Sequence, residues 1–434
     1  MAHHTLRSGY RELAERLNRA PQGAPATDTL FRILGVLMSE REAALVARLP
    51  IRPFTVGRAA RAWGMPEAEA QKTLESLAAR ALLLDVEHDG RQRYLLPPPM
   101  AGFFEFSMMR LRGDLDQKLL AELFYQYMNV EEDFIRALFS PAGGTQLGRV
   151  FAREQALPAD DALEVLDYER ASWVIDDAFC IGVGVCYCRH KMSHVDRACA
   201  APMDICMTFN HSAASLVKHG VARRVDVAEA RDLLDQACDH GLVQFGENVQ
   251  RRVNFICHCC GCCCAALLAH QRFGFLRPVH TSNFIAAIDT AECSGCAACI
   301  AACPVDALSL VPADAAAADG PARARLDEAA CLGCGVCVPA CANGGVRLEP
   351  RSQRVITPVD SVQRAVLMAL ERGKLANLIF DEPASAGHRA VAAVLGAVLR
   401  LEPVKRTLAA RQLNSRFFDA LLDRYRDRPA PARA

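Results

Sequence analysis

The 434-residue chain lacks an excess of charge of either sign, because 50 Lys and Arg residues balance 50 Asp and Glu residues. This balance gives no reason to expect nucleic acid or an anionic membrane as a partner. Long apolar runs are also missing. The longest, residues 390–399, is too short to span a bilayer, and residues 1–20 lack the apolar core of a secretory signal. We therefore expect a cytoplasmic protein without a membrane span.

Cysteine is absent from residues 1–179 and from the chain after Cys341, although the sequence contains 20 cysteines. In a reducing cytoplasm such thiols favour metal ligation or redox chemistry over a disulfide framework. A G-x-G-x-x-G fingerprint and a P-loop are also missing, so neither nicotinamide by the usual Rossmann route nor ATP is indicated. The chemistry is therefore expected in one central block, and electrons are expected to arrive from and leave to other molecules.

Two runs of four cysteines have the spacing of bacterial ferredoxins that bind two clusters. In that pattern three cysteines of a run bind one [4Fe-4S] cluster and the fourth reaches across to the other. The spacing predicts one cluster on Cys293, Cys296, Cys299 and Cys341, and a second on Cys331, Cys334, Cys337 and Cys303. Structural zinc would pair CxxC knuckles in fours and would not need two overlapping runs. The second run has Ala342 where the pattern usually has proline, a position that does not ligate iron.

A further set of four cysteines lies upstream of these runs. Its members are Cys186, Cys188, Cys199 and Cys206. Gly182 and Gly184 allow a flexible entry, and Pro202 prevents a continuous helix, so the four thiols are expected to fold around one metal centre.

The octapeptide CHCCGCCC, residues 257–264, contains six more cysteines. They are Cys257, Cys259, Cys260, Cys262, Cys263 and Cys264. Side chains of adjacent residues diverge in helix and in strand, so these thiols are expected to be divided between two centres, or between a cluster and something else. Gly261 permits the sharp turn that such a division needs. Alternatively, one or two of the six cysteines bind no metal and act only as small buried hydrophobic side chains. We expect one or two Fe-S clusters beyond the two of the ferredoxin runs.

Basic residues and histidines accompany these cysteines. They are Arg189, His190, Lys191, His194, His211 and His258. One interpretation is that they raise the reduction potential of a nearby cluster or hold an anionic group. The alternative is that they are solvated charges around a metal loop. Cys238 stands alone in a helical pattern and is expected to contribute to packing.

The flanks predict an α+β multidomain fold. Helical periodicity, a turn at residues 64–66, a second helix and an Asp89-Gly90 hairpin predict a winged-helix domain at residues 28–97. The other units are a helical connector at 98–179, a cysteine-rich Fe-S region at 180–285, a 2[4Fe-4S] ferredoxin domain at 286–350 and a helical C-terminal extension at 358–425. The helix expected to read DNA, residues 66–80, carries Lys72 and Arg80 against Glu67, Glu69 and Glu75. Because phosphate contacts supply much of DNA affinity, this charge favours a protein-interaction module over DNA binding.

Three stretches resemble a known family. CYCRHKMSHVDRACAAPMDICMTFN, NFICHCCGCCC and SNFIAAID are similar to bacterial and archaeal 4Fe-4S dicluster ferredoxin-domain proteins that carry a winged helix and an extra cysteine-rich region. The resemblance covers about residues 28–350 and informs the fold more than the function. A looser similarity links the CCG within the octapeptide to the cysteine-rich domains of heterodisulfide reductases, which hold unusual clusters that act on disulfides. In this chain the motif is not duplicated, and ferredoxin runs occupy the place of its downstream CxxC.

These observations predict a multi-cluster iron-sulfur protein that passes electrons between a soluble donor and a partner oxidoreductase, as a subunit or shuttle and without catalytic residues of its own. One alternative is an Fe-S reductase whose centre at Cys257–Cys264 acts directly on a disulfide-like acceptor. The other is a redox-sensing winged-helix regulator that binds DNA.

Overall fold

The N-terminal part of the chain is a helical bundle followed by a β-hairpin. The computed structural model describes residues 8–88, 90–139, 144–157, 166–273, 279–312 and 322–381. The first elements are α1 (Ser8–Arg19), α2 (Asp28–Leu37), α3 (Glu40–Ala47), α4 (Val56–Trp63), α5 (Glu67–Ala79), β1 (Leu84–His88) and β2 (Arg91–Leu95). They include the two helices and the hairpin expected between residues 56 and 95, while Asp89 of the expected turn lies outside the described residues.

Local sequence signals set the ends of these helices. Ser39 and Glu42 form a reciprocal capping box at the start of α3. Gly64 ends α4 with a φ of 66°, a left-handed conformation that glycine adopts without strain. Leu30 and Ile33 of α2 are fully buried, which places the apolar face of this helix in the core.

The hairpin is anchored on the central part of the molecule by Asp85. Its carboxylate accepts hydrogen bonds from Ser215 Oγ at 2.6 Å and from Lys218, and its Oδ1 lies 3.0 Å from His219 Nε2. Burial alone would raise the pKa of Asp85, but the bonds from Lys218 and Ser215 lower it below its usual value. The charged carboxylate therefore ties β1 to the helix that begins at Asn210.

The expected helical connector contains helices and also a strand. Its elements are α6 (Phe104–Phe106), α7 (Gln117–Tyr125), α8 (Asp133–Leu138), β3 (Gly148–Val150) and α9 (Ala171–Asp177). The rings of Phe104 and Phe124 lie 5.0 Å apart, and those of Tyr127 and Phe134 lie 4.7 Å apart, in the same core as α2. The Phe- and Met-rich stripe in this segment is core packing in the described residues.

A six-stranded antiparallel sheet forms the centre of the molecule. The sheet and its helices comprise β4 (Ile181–Val185), α10 (Tyr187–Ser193), β5 (Asp204–Phe209), α11 (Asn210–Lys218), β6 (Arg223–Val225), α12 (Val227–Asp239), β7 (Val243–Glu247), β8 (Phe255–Cys259) and α13 (Ala265–Arg272). The strand order is β3-β7-β8-β5-β4-β6. The sequence analysis predicted a metal-binding region here without a sheet. Asp226 caps the start of α12, since its side chain accepts a hydrogen bond from the Glu229 amide at 2.9 Å.

Two β-ladders and two short helices hold the ferredoxin runs. They are β9 (Phe284–Ile288), α14 (Ala298–Ala302), β10 (Leu308–Pro312), β11 (Ala322–Leu326), α15 (Cys337–Ala340) and β12 (Val346–Pro350). β9 pairs with β12, and β10 pairs with β11, both antiparallel. Residues 313–321, the Ala-rich stretch between β10 and β11, lie outside the described part.

The C-terminal elements pack back on the N-terminal bundle. α16 (Ser361–Glu371) and α17 (Leu375–Ile379) are followed by Asp381, which is fully buried. Its carboxylate accepts bonds from Arg52 Nη2 at 2.9 Å and from Arg58 Nη2 at 3.1 Å. Residues 382–425 of the expected helical extension lie outside the described residues. Among those described, no helix combines the length and the apolar character needed to cross a membrane.

Candidate metal centres

The two ferredoxin runs fold so that the fourth cysteine of each lies beside the other run. Burial and then the nearby thiols of Cys341 and Cys293 raise the pKa of Cys299. Cys303 in turn lies close to Cys331 and Cys334. The structure therefore brings together the two sets expected from the spacing, one around Cys341 and one around Cys303.

Backbone amides approach the sulfurs of these runs. The Ala307 amide donates to Cys303 Sγ at 3.2 Å, and the Ala324 amide donates to Cys293 Sγ at 3.4 Å. A Cβ on Gly333 would lie only 2.0 Å from the carbonyl oxygen of Phe284, and its φ of 67° also favours glycine. The loop around the second set consequently requires glycine at this position.

The two sets differ in exposure. Cys296 of the first set is exposed, whereas three members of the second set are buried: Cys331, Cys334 and Cys337. Burial raises the pKa of Cys334 to about 12, so this thiol is neutral near pH 7 unless a metal displaces its proton. The first set, although it includes the buried Cys299, is therefore the more exposed of the two.

The remaining cysteines of the motifs form two groups. The outer thiol group consists of Cys199, Cys260, Cys262 and Cys263, whose sulfurs all lie within 4.8 Å of one another. The inner thiol group consists of Cys186, Cys188, Cys206, Cys257, Cys259 and Cys264, in which each thiol interacts with one or two neighbouring thiols. Its contacts run in the order Cys186, Cys206, Cys257, Cys259, Cys264 and Cys188.

Alternation along a strand and one turn explain how the octapeptide serves both groups. Cys257 and Cys259 lie two residues apart on β8, so their side chains emerge on the same face of the sheet. The chain then turns at residues 260–263 and presents three thiols to the outer group. Cys264 immediately precedes α13. This helix start returns the chain to the inner group.

The structure does not bring the four upstream cysteines around one centre. Cys186 and Cys188 lie at the start of α10, and Cys206 lies on β5 opposite Gly184. Cys199 lies in the loop between α10 and β5, where its Sγ is 3.5 Å from Cys260 Sγ. The expectation of a single four-cysteine site is therefore wrong for Cys199, because the loop containing Pro202 carries it to the outer group.

A cavity of about 110 Å³ lies against the inner thiol group. Its lining includes all six inner thiols together with apolar side chains such as Phe106 and Phe139. Glu105 lines the same cavity, and its carboxylate accepts a bond from the Gly102 amide at 3.1 Å. Burial raises the pKa of Glu105 to about 7 despite the bonds from the Ala101 and Gly102 amides. The sequence analysis missed this residue, for which the only signal was a single acid within the apolar run FFEF.

Two of the basic residues are buried beside the thiols. Arg189 is fully buried and donates to the carbonyl oxygens of Pro202 at 2.7 Å and His258 at 2.6 Å. Burial alone would lower its pKa, but interaction with the neighbouring sulfurs of Cys186 and Cys260 raises it. Lys191 is equally buried and donates to Asn129 Oδ1. For these two residues the solvated alternative is wrong.

The histidines have other surroundings. His190 Nδ1 lies 2.8 Å from the Met108 carbonyl oxygen, and its Nε2 lies 3.2 Å from His194 Nε2. His211 packs its ring against Phe179 at 5.0 Å. Burial, and then the Arg189 charge, lower the pKa of His258 to about 3, so its imidazole is neutral near pH 7. His258 therefore contributes little positive charge to the thiol groups.

Cys238 lies apart from both thiol groups. It is buried on α12, and its Sγ is 3.7 Å from the side-chain amides of Gln155 and Gln244. These contacts are consistent with the packing role expected from its isolation in the sequence.

Comparison with known proteins identifies one part of the chain. Residues 292–345 match the family model of the 4Fe-4S dicluster domain, which covers both ferredoxin runs. Searches of the curated proteins and of the solved structures found no match. The family match and the outer cysteine cluster indicate an iron-sulfur and metal-binding protein.

Proposed function

We propose that this protein is a multi-cluster electron carrier that passes electrons from a soluble donor to a partner oxidoreductase. The observation that carries the proposal is the packing of the inner thiol group against the ferredoxin runs. One hydrophobic cluster contains Cys259 and Cys264 of the inner group together with Cys331, Cys334 and Cys337 of the second run. Such continuity is what an electron carrier with adjacent centres requires.

Gly261 makes the contact between the octapeptide and the ferredoxin runs. A Cβ at this position would lie 2.4 Å from the carbonyl oxygen of Pro304, the residue after Cys303. Gln271 of α13 donates to the same carbonyl at 3.0 Å, and His270 Nε2 lies 2.9 Å from the Ala330 carbonyl oxygen. The inner group and the second ferredoxin set are thus held at backbone contact distance.

Each ferredoxin set fits a [4Fe-4S] cluster in its donor atoms. We assign Cys293, Cys296, Cys299 and Cys341 to the first cluster, and Cys331, Cys334, Cys337 and Cys303 to the second. When bound, such clusters supply one-electron redox chemistry within a wide range of potentials. Because Cys296 is exposed, the first cluster is the one that accepts electrons from a soluble donor. The second cluster is more buried and passes them to the inner thiol group.

The inner thiol group fits a further iron-sulfur centre. Its six thiols line one cavity, and the two buried cations Arg189 and Lys191 offset the negative charge that thiolate ligands and a cluster bring. The Nε atom of Arg189 is buried without a hydrogen-bond partner among the described residues, as expected if it faces an anionic group. Six thiols exceed the four that a single cubane needs, so one or two of them remain as packing or as hydrogen-bonding neighbours.

The N-terminal elements fit a docking module for the partner oxidoreductase. We take residues 28–97 as a winged-helix domain, in which α5 would be the helix presented to DNA in a regulator. That helix carries Glu67, Glu69 and Glu75, and its C-terminal Arg80 is already bonded to Glu42. An acidic helix of this kind suits a basic protein surface better than a phosphate backbone.

The test of the carrier proposal is the iron and acid-labile sulfide content of the anaerobically purified full chain. Three four-iron centres give about twelve iron atoms per chain, whereas the ferredoxin sets alone give about eight. Cys257→Ser is expected to lower the iron content by about four atoms, while Cys238→Ser, outside both thiol groups, leaves it unchanged. A wild-type content of about eight iron atoms per chain would contradict the inner centre and therefore the proposed carrier function.

A second candidate is a reductase that acts directly on a disulfide-like acceptor at the inner centre. Glu105 favours it, because a carboxyl group that is partly protonated near pH 7 lines the same cavity as the six thiols. Turnover of a small disulfide by the reduced protein, slowed in Glu105→Gln, would support this candidate. A reduced protein that retains its electrons in the presence of the disulfide supports the carrier.

A further inference from the structure

The outer thiol group has a geometry different from that of the ferredoxin sets. Cys199 Sγ lies 3.5 Å from Cys260 Sγ and 3.9 Å from Cys263 Sγ, and Cys262 Sγ lies 3.7 Å from Cys263 Sγ. Among the described residues this is the only set of three or more cysteine, histidine or acidic side chains whose ligand atoms all lie within 4.8 Å of one another. The ferredoxin sets, which match a four-iron domain, are therefore more widely spaced.

These separations fit four sulfurs around a single ion. A tetrahedral zinc ion with Zn–S bonds of about 2.3 Å holds its four sulfurs about 3.8 Å apart. In a four-iron cluster each cysteine binds a separate iron, so the four sulfurs are spread around a larger core. The observed sulfur–sulfur separations of 3.5, 3.7 and 3.9 Å lie close to the single-ion value.

The sequence context also fits a structural zinc site. Cys260 and Cys263 have the C-x2-C spacing of a zinc knuckle, with Gly261 inside it. Cys199 adds a ligand from the loop between α10 and β5, and Cys262 completes the four. A closed set of four thiolates leaves no open position for substrate, which is typical of structural rather than catalytic zinc.

Burial and charge support metal binding at the same place. Cys263 is fully buried and Cys262 is exposed, so the group lies at the surface with one side against the interior. Cys260 and Cys263 also line the cavity of the inner group. The guanidinium of Arg189 is close enough to Cys260 to interact with its charge, and a four-thiolate zinc site carries net negative charge that this cation offsets.

We propose that Cys199, Cys260, Cys262 and Cys263 bind one structural zinc ion that joins the loop around Cys199 to the turn after β8. The site holds no iron and takes no part in electron transfer. Its role is to fix the wall of the cavity that the inner thiol group lines. The proposal is independent of the electron-carrier function, because a zinc ion at this place requires no cluster elsewhere.

The test is elemental analysis of the full chain, purified anaerobically without chelators, for zinc and iron together. We expect about one zinc per chain in the wild type. Cys262→Ser, which changes an exposed ligand and leaves the core intact, is expected to lose at least four fifths of that zinc and to retain the wild-type iron content. Cys238→Ser is the matched control and is expected to keep both metals.

If Cys262→Ser fails to fold, X-ray absorption spectroscopy at the zinc edge tests the site in the wild-type protein. Four sulfur neighbours at about 2.3 Å support the proposal. Zinc with nitrogen or oxygen neighbours would overturn it, as would a wild-type protein without stoichiometric zinc. Loss of iron in Cys262→Ser would show that the outer group binds a cluster or an iron ion, and would overturn it as well. A low iron content with zinc still present would instead count against the electron-carrier function alone.

Discussion

Arg189 is the side chain whose replacement tests the inner centre most directly. Its fully buried guanidinium lies between the two thiol groups, and it donates to the carbonyl oxygens of Pro202 and His258 at 2.7 and 2.6 Å. Arg189→Met keeps an unbranched chain of similar length but removes the charge and both hydrogen bonds. Arg189→Lys keeps the charge and at most part of the hydrogen bonding, and is the matched control.

The loss of stability follows from the two bonds. A hydrogen bond to a charged group contributes about 1.5–3 kcal/mol, so the loss of two in Arg189→Met should lower the free energy of unfolding by about 3–6 kcal/mol. This is a large fraction of the roughly 5–15 kcal/mol that holds a typical domain together. The lysine variant should lose about half as much, because one carbonyl keeps a charged donor.

The charge has a separate effect on reduction potential. Addition of an electron makes a cluster more negative, so a nearby cation stabilises the reduced state and its removal lowers the potential. If the guanidinium contributes about 1.4 kcal/mol to that difference, the midpoint falls by about 60 mV in Arg189→Met. The lysine variant should stay within about a third of that shift, because its charge is retained.

The measurement is an anaerobic redox titration followed by EPR, combined with denaturant unfolding of the same samples. The reasoning is refuted if Arg189→Met unfolds within about 1 kcal/mol of the wild type and all its midpoints are unchanged. Equal shifts in the methionine and lysine variants would show that packing, rather than charge, sets the potential.

Three further changes test other contacts. Gly261→Ala places a Cβ 2.4 Å from the Pro304 carbonyl oxygen and should cost about 1–3 kcal/mol and slow electron exchange between the ferredoxin runs and the inner centre in stopped-flow reduction. Gly113→Ala, at a position with open space around the added Cβ, is its control, and equal effects would contradict the contact argument. Asp85→Asn removes a carboxylate that is charged at neutral pH and should destabilise the hairpin by about 1–3 kcal/mol, seen as faster amide exchange there with unchanged iron content. Cys341→Ser should abolish the EPR signal of the first cluster and spare the second, and the reverse result would overturn the crossed assignment.

The ferredoxin part was predictable because its information is local. Cysteines three residues apart on a tight loop meet regardless of the rest of the chain, and the crossing of the fourth ligand follows from the same pattern. Cys341 lies near the first run and Cys303 near the second, and the crossed ligation itself stays a prediction. Residues 292–345 also match the dicluster domain.

The central sheet was not predictable in the same way. Its strands have only three to six residues, and β8 pairs with β5 and β7, which come from separate parts of the chain. In β4 the β-branched residues alternate with Gly182 and Gly184, which suggest a flexible entry, and β8 contains two cysteines among its five residues, so the sequence analysis predicted a metal loop. The position of Cys199 depends on this sheet, since the pairing of β4 with β5 brings Cys206 opposite Gly184, beside Cys186, and leaves Cys199 in the loop between α10 and β5.

The two thiol groups are not independent of each other, because they share uninterrupted backbone. Cys259 belongs to the inner group and Cys260 to the outer, and the same change of group occurs between Cys263 and Cys264. With no residue between them, any displacement of the turn moves ligands of both groups, so neither geometry can relax without cost to the other. A closed four-thiolate ion in the outer group would hold this turn in place before the inner thiols receive their own ligand. The density of cysteine in CHCCGCCC is therefore explained by two neighbouring sites that use opposite sides of one short turn.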